Sequence, residues 1–422
     1  MPATTESAIA VANREMPSFD FADPAVAANP QGVARRLAEE DWVARMPHGY
    51  AFLRWEDCKW VNRDKRFRTP EGLGVGTVGI TEGIVFEWAS GTVLGLDGAD
   101  HERVRRLAQP GFTPPRLEAL RPSARELFAG ILDDVLPAGR AEAADICMSY
   151  SVRMICRLLG WTEDDWRQIL AWANAAVEVA SLRVGPDDVA PMEAALVEMR
   201  NYTMANLERL RGQKDNGFAS AIIGYEEEGD QLSTTELLNL FESLMVAGSH
   251  TTMSVLTMAL LLFAKHPDQW QELREDPTLV PSAVDEVLRF RAPTLGTARV
   301  AREDVVHNGV LFPAGTSISA VHTAANFDPD SYEQPETFEI SRYADGSRVP
   351  KPAHLTFGFG AHVCIGNNLA RMELQEAFRL LAERVETLAI DDSDDRGIEW
   401  TSPFGVCGPS WLPLEWQLAQ TP

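Results

Sequence analysis

The run Phe357-Gly358-Phe359-Gly360-Ala361-His362-Val363-Cys364-Ile365-Gly366 constrains this chain more than any other segment. Glycines on both sides of Cys364 let the backbone take positive φ and approach a flat ligand closely. Helical spacing resumes at once, from Asn367 to Val385. A helix that starts directly after a sulfur offers it backbone N–H groups, which stabilise a thiolate. A thiolate held beneath a flat ligand is what haem iron needs when electron density must be pushed toward an O–O bond. The plain alternative, a structural cysteine in a turn, leaves the glycine pattern without a reason.

Phe357, Gly360, Cys364 and Gly366 fill every fixed position of Phe-x-x-Gly-x-x-x-Cys-x-Gly. The run thereby resembles the haem-binding loop of the cytochrome P450 haem-thiolate monooxygenases, of the soluble bacterial type. The resemblance implies haem b (iron protoporphyrin IX) with Cys364 as its metal ligand. It also implies a mainly α (α+β) fold, a triangular helical domain with small β-sheets. Residues 1–30, rich in Ala, Pro and Asn, read as an N-terminal surface segment, and 31–422 as a single domain.

Apolar residues at three and four spacing mark helices over 116–136, 143–159, 163–179, 191–211 and 234–265. Ser233-Thr234-Thr235-Glu236 has the form of a capping box, and Pro267 is a stop after His266. About thirty residues at ~1.5 Å each give a helix of ~45 Å, enough to cross a domain. Alternation predicts strands over 50–54, 305–310, 317–321 and 411–417, with a turn at Asn308-Gly309. The Gly72-Leu73-Gly74-Val75-Gly76 run lacks the strand before it and the long helix after it that a dinucleotide fingerprint requires. It reads instead as the start of a lid loop over 69–94.

The formal charge of −24 disfavours nucleic acid as a partner. The apolar stretch 253–264 is shorter than the ~20 residues a bilayer span needs. Five cysteines without paired spacing fit reduced thiols, and the amino terminus has no leader pattern. The expectation is a cytoplasmic monomer with no membrane attachment.

Near the middle of the long helix stands Ala247-Gly248-Ser249-His250-Thr251-Thr252. The resemblance places this segment over the open face of the haem, with Ala247 and Gly248 against it and Thr251 and His250 as catalytic residues. Thr251 would handle protons at dioxygen. His250 stands where the family has an acid, and an imidazole with a pKa near ~6.5 also relays protons. The alternative is that His250 turns away and bonds to another helix. His101 and Arg105, one helical turn apart, resemble the family's propionate-binding pair, joined by Arg299 and His362; Phe357 and Gly358 would also touch the haem. Glu286, Arg289 and Arg342 resemble the buried network that braces the cysteine loop.

By family position the substrate would meet Val85, Phe86, Val246, Leu295, Gly296, Thr297, Phe404 and Val406. These are mostly apolar, so the reading is oxidation of a largely apolar or aromatic small molecule, a secondary metabolite, with dioxygen. The alternatives are radical coupling that inserts no oxygen, and a haem binder or sensor without turnover. No flavin or nicotinamide domain is present, so electrons would come from a ferredoxin or flavodoxin with its NAD(P)H reductase. Arg103, Arg106, Arg116 and Arg371 are expected to form a basic patch for that acidic donor.

Overall fold

The computed structural model describes residues 8–180, 184–211, 217–227, 229–344, 352–401 and 405–419. The helices that build the site are α1 (Trp55–Arg63), α2 (Ile84–Gly91), α3 (Gly98–Ala108), α4 (Pro114–Val135), α5 (Ala143–Leu159), α6 (Trp166–Val177), α7 (Pro186–Arg211), α8 (Thr234–Lys265), α9 (Val280–Phe290) and α10 (Asn367–Arg384). The bounds of α5 and α8 coincide with the periodic windows. Helix α4 starts two residues early because Pro114 occupies its first turn, where a missing N–H costs nothing. The 163–179 window breaks into two 3-10 turns flanking α6.

Helix α8 is the axis of the molecule. Ser233 Oγ accepts from the Glu236 N–H at 3.2 Å, and Glu236 Oε2 accepts from the Ser233 N–H at 2.7 Å, the expected capping box. α5, α6, α7 and α10 pack around it. It is long and apolar enough to cross a membrane, yet its apolar window is 83% buried inside the protein, so it is a core helix. A Cβ on Gly248 would stand 2.2 Å from Ile155 Cδ1 of α5. The absence of a side chain at Gly248 thus makes room for a helix crossing.

Most of the β structure lies to one side. Val43–Met46, Gly49–Phe52, Ser317–Ala320, Thr297–Ala301 and Phe67–Arg68 form a five-stranded sheet in that order. Val305–His307 and Val310–Phe312 form the hairpin expected at Asn308-Gly309, whose φ angles of 48° and 75° are those of a type I′ turn. The amino-terminal segment does not simply lie on the surface. Ile9–Ala10 pairs in parallel with Val310–Phe312, and Phe19 is wholly buried. The terminal strand divides into Pro409–Trp411 and Pro413–Leu418, because the intervening Leu412 N–H turns to the Glu142 carboxylate.

Candidate active site

Two glycines shape the loop around Cys364. Gly358 and Gly360 take φ of 72° and 77°, which side chains disfavour. A Cβ on Gly360 would lie 2.3 Å from the Asn62 carbonyl oxygen, so the glycine lets the loop rest on α1. The Cys364 N–H donates to the Phe357 carbonyl at 2.8 Å, and Asn367 Nδ2 donates to the Cys364 carbonyl at 2.6 Å. Arg105 Nη2 grips the Val363 carbonyl at 2.5 Å. Cys364 is the one exposed cysteine; Cys58, Cys147 and Cys156 are buried and Cys407 is half-buried. The thiol opens to solvent from deep among protein atoms. That burial raises its pKa, while the Gly366 N–H and the charges of Arg105 and Arg371 pull it back.

A buried network braces this loop. Glu286 and Arg289 are fully buried and paired at 2.8 Å, and Arg342 Nε adds a contact to Glu286 at 3.1 Å. Arg289 also donates to the carbonyls of Asn326, Pro335 and Thr337. Asn326 in turn accepts from the Leu355 N–H and donates to Thr356, which immediately precedes Phe357. The network thus reaches the cysteine loop through backbone groups.

On α8, Ala247 is exposed and Thr251 half-buried, while most of their helix neighbours are buried. Residues four apart share a helix face, so these two form one open stripe in a core helix. The Thr251 hydroxyl donates to the Ala247 carbonyl at 2.6 Å. His250 is buried beside this stripe, with Nε2 donating to Asn174 Oδ1 of α6 at 2.6 Å. It bonds to another helix, and burial holds its pKa below the usual imidazole value. Asn174 was not foreseen.

Nor was Glu373, buried on α10 with one carboxylate oxygen unpartnered. Burial pushes its pKa up to about 8, against the pull of the Thr252 hydroxyl. One sequence signal existed: Glu373 lies four residues after the apolar Leu369, on the face that turns inward.

The four expected propionate partners come together. The His101 and His362 rings stack at 3.9 Å. Arg105 and Arg299 both act electrostatically on His101 and on His362, each lowering the imidazole pKa. Burial is the largest cause in each case and brings His362 to about 3. Arg299 is buried, donates to the Ala298 carbonyl, and makes no ion pair among the described residues. Asp97 is the nearby carboxylate, and it is taken up by Arg302, the Thr69 N–H and the Gly98 N–H. His101 Nε2 is buried without a partner. Two arginines beside two neutral imidazoles, short of acids among the described residues, fit a ligand carrying carboxylates, and the exposed thiol fits a flat metal-bearing ring. The donor set matches haem b.

A cavity of about 240 Å³ opens between the 69–77 segment, the 294–299 segment and the first sheet. Leu295, Gly296, Thr297 and Val406 line it as expected. Val85 does not; it is wholly buried in the main core, because α2 turns that residue inward. Val246 is likewise 7% exposed and packed in the core. Phe86 packs against Gly72, and Phe404 lies outside the described residues. Thr69, Pro70, Leu73, Thr77 and Val177 join the lining, and among the described residues Arg299 is its one charged side chain.

Three arginines of the expected basic patch are paired with acids of the chain itself. Arg103 pairs with Asp230 and Glu236, Arg106 with Glu227 and Asp230, and Arg371 with Asp285. Arg116 reaches the Gly217 carbonyl.

A family model described as Cytochrome P450 matches residues 194–405. Luteothin monooxygenase of Streptomyces thioluteus is 33% identical over 96% of this chain and 97% of its own. Mycinamicin IV hydroxylase/epoxidase of Micromonospora griseorubida is 31% identical over 90% and 94%. Among solved structures, P450BioI in complex with hexadec-9Z-enoic acid ligated acyl carrier protein superposes with a TM-score of 0.85. It is 26% identical, covering 94% of this chain and all of that one.

Proposed function

The chain belongs to the cytochrome P450 family as a haem-thiolate monooxygenase, and from that premise we propose what it oxidises and which residues carry the reaction. The substrate is a neutral, largely apolar secondary metabolite. The cavity lining supports this, because among the described residues it contains no acid to meet an ammonium group and its single cation belongs to the propionate cluster. Two relatives are named for luteothin and mycinamicin IV.

Bound haem b supplies dioxygen activation. Cys364 would ligate it, and Arg105 and the Gly366 N–H favour the thiolate that would do so. His101, Arg105, Arg299 and His362 would bind its carboxylates, while Phe357 and Gly358 belong to the loop that carries Cys364. Ala247, small and exposed on α8, would leave room for dioxygen. Thr251 carries a mobile proton: its hydroxyl, now donated to Ala247, turns outward along the open stripe. His250 is neutral at pH 7 and donates from Nε2 to the Asn174 amide oxygen, which anchors α8 against α6 beside Thr251. Leu295, Gly296, Thr297 and Val406 position the substrate. Reducing equivalents come from a ferredoxin or flavodoxin with its reductase. The protein works in the cytoplasm as a monomer, with 31–422 as its catalytic domain.

The observation that carries this reading is the exposed thiol of Cys364 on a loop that meets Arg105, with the buried Arg299 and two imidazoles close by and no ion pair to Arg299 among the described residues. Cys364→Ala should abolish the red-shifted absorbance of the reduced carbon monoxide complex; retention of that band refutes the ligand assignment. Turnover under labelled dioxygen should place label in the product, and an unlabelled product would point to radical coupling.

A further inference from the structure

The arginines of α3 that face the cysteine side are already occupied. An acidic hairpin, with strands Glu226–Glu227 and Asp230–Gln231, lies over them. Asp230 takes the Nε–Nη2 edge of Arg103 at 2.7–3.1 Å, Glu236 takes Nη1, and Glu227 pairs with Arg106. An acidic visitor would have to displace three carboxylates of the chain itself.

The other flank of the loop is different. Residues 59–68 hold five cations, Lys59, Arg63, Lys65, Arg66 and Arg68, in a chain whose 38 Lys and Arg average about one per ten residues. Arg66 is committed to Asp64 by a bidentate pair, and Arg68 to the Thr69 carbonyl. Arg63 and Lys65 are exposed and make no ion pair among the described residues. The cluster sits directly on the cysteine loop. Lys59 and Arg63 lie 5.7 and 5.6 Å from the ring of Phe359, and Gly360 touches the α1 backbone at Asn62.

We propose that an acidic electron-carrier protein docks on Arg63 and Lys65 beside Phe359, on the α1 flank of the Cys364 loop, and not on the α3 arginines. This rests on the reading that electrons arrive from a separate acidic protein. Free cations on an anionic protein steer such a partner, whereas cations already paired lose most of that pull.

The test uses the haem-loaded protein and an acidic plant-type [2Fe–2S] ferredoxin. Affinity is measured by calorimetry at low ionic strength and followed across a salt series. Arg63→Gln with Lys65→Gln should weaken binding about tenfold and flatten the salt dependence. The charge-conserving pair Arg103→Gln with Asp230→Asn should leave affinity within twofold. An unchanged Kd in the first variant, or a loss in the second as large as in the first, overturns the docking site while leaving the acidic-donor reading intact. A wild-type protein that binds no ferredoxin at low salt overturns both. Unchanged thermal unfolding and an unchanged carbon monoxide band in both variants show that the effect is on docking.

Discussion

Replacing Glu286 by Gln changes one atom's chemistry and tests whether the buried network braces the haem loop. Glu286 accepts four hydrogen bonds: Oε1 from Arg289 Nη2 and the Glu339 N–H, Oε2 from Arg289 Nε and Arg342 Nε. Glutamine has the same shape but keeps one acceptor oxygen. Whichever way its amide turns, an NH2 group faces two donors, and at least one of them belongs to the fully buried Arg289. Each buried donor left unsatisfied costs about 1–3 kcal/mol, more for a charged one. The Arg289 charge also loses its counter-ion, and breaking such a pair typically costs ~3–5 kcal/mol. The two figures agree, so we take about 4 kcal/mol. Unfolding entropy of ~2.1 cal/mol/K per residue gives ~0.9 kcal/mol/K for this chain, so Tm should fall by about 4 °C. Because Arg289 and Asn326 lead to Thr356 beside Phe357, the damage should also reach the thiolate. The reduced carbon monoxide complex of Glu286→Gln should convert to the protonated-thiol form faster than wild type on warming. A Tm within 1 °C of wild type, with an equally durable band, would show that the network is not a brace.

Other substitutions test separate parts of the argument. Thr251→Ala removes the hydroxyl of the open stripe, so oxygen consumption should continue while product per oxygen falls severalfold; an unchanged ratio would assign proton delivery to other groups. Gly296→Ala should cost about 1–3 kcal/mol, because its Cβ would lie 1.8 Å from the Ala320 carbonyl oxygen. Gly130→Ala, in helix α4 with nothing within 4 Å of its Cβ, should stabilise by up to ~1 kcal/mol. Thermal melts of the two should move in opposite directions. Glu373→Gln should change how stability depends on pH. The folded carboxyl titrates at about 8 and the ordinary one at 4.5, so between these values only the folded state holds the proton. Wild-type stability from this group is complete below about 4.5 and is lost as pH rises toward about 8. The gap between variant and wild type should therefore shift in favour of the variant by up to ~1.4 kcal/mol per pH unit in that window. Parallel denaturant curves at pH 5.5 and 7.5 measure it, and an equal gap at both would show that Glu373 is ionised when folded.

What the chain disclosed before folding was local. The α8 bounds were legible because a capping box and a proline mark both ends, and the cysteine loop because its glycines must stand at fixed offsets. What stayed hidden depends on partners distant in sequence. Gly248 looks like clearance for a ligand until α5 is seen to bring Ile155 against it. The α3 arginines look like a docking patch until a hairpin more than a hundred residues away covers them. Val85 falls in a lid whose helix turns it into the core, and no pattern in 69–94 says which face of that helix points inward.

The buried cations show how structure separates a brace from a ligand site when sequence does not. Arg289 and Arg299 are both arginines in apolar surroundings, both buried, and similar to read as strings. Arg289 meets a carboxylate and three carbonyls, so its charge is answered within the protein and nothing is left to bind. Arg299 meets one carbonyl, and burial draws its pKa down to about 10 with only distant help from Asp97. An unanswered guanidinium costs several kcal/mol to bury, and a protein keeps one where an anion arrives to offset that cost. Arg105 shows the same tension, its pKa lowered by burial and raised by Cys364. The residues proposed to hold the cofactor are thus those whose electrostatics the protein leaves unfinished. The same criterion, applied at the surface, selects Arg63 and Lys65 over Arg103 and Arg106.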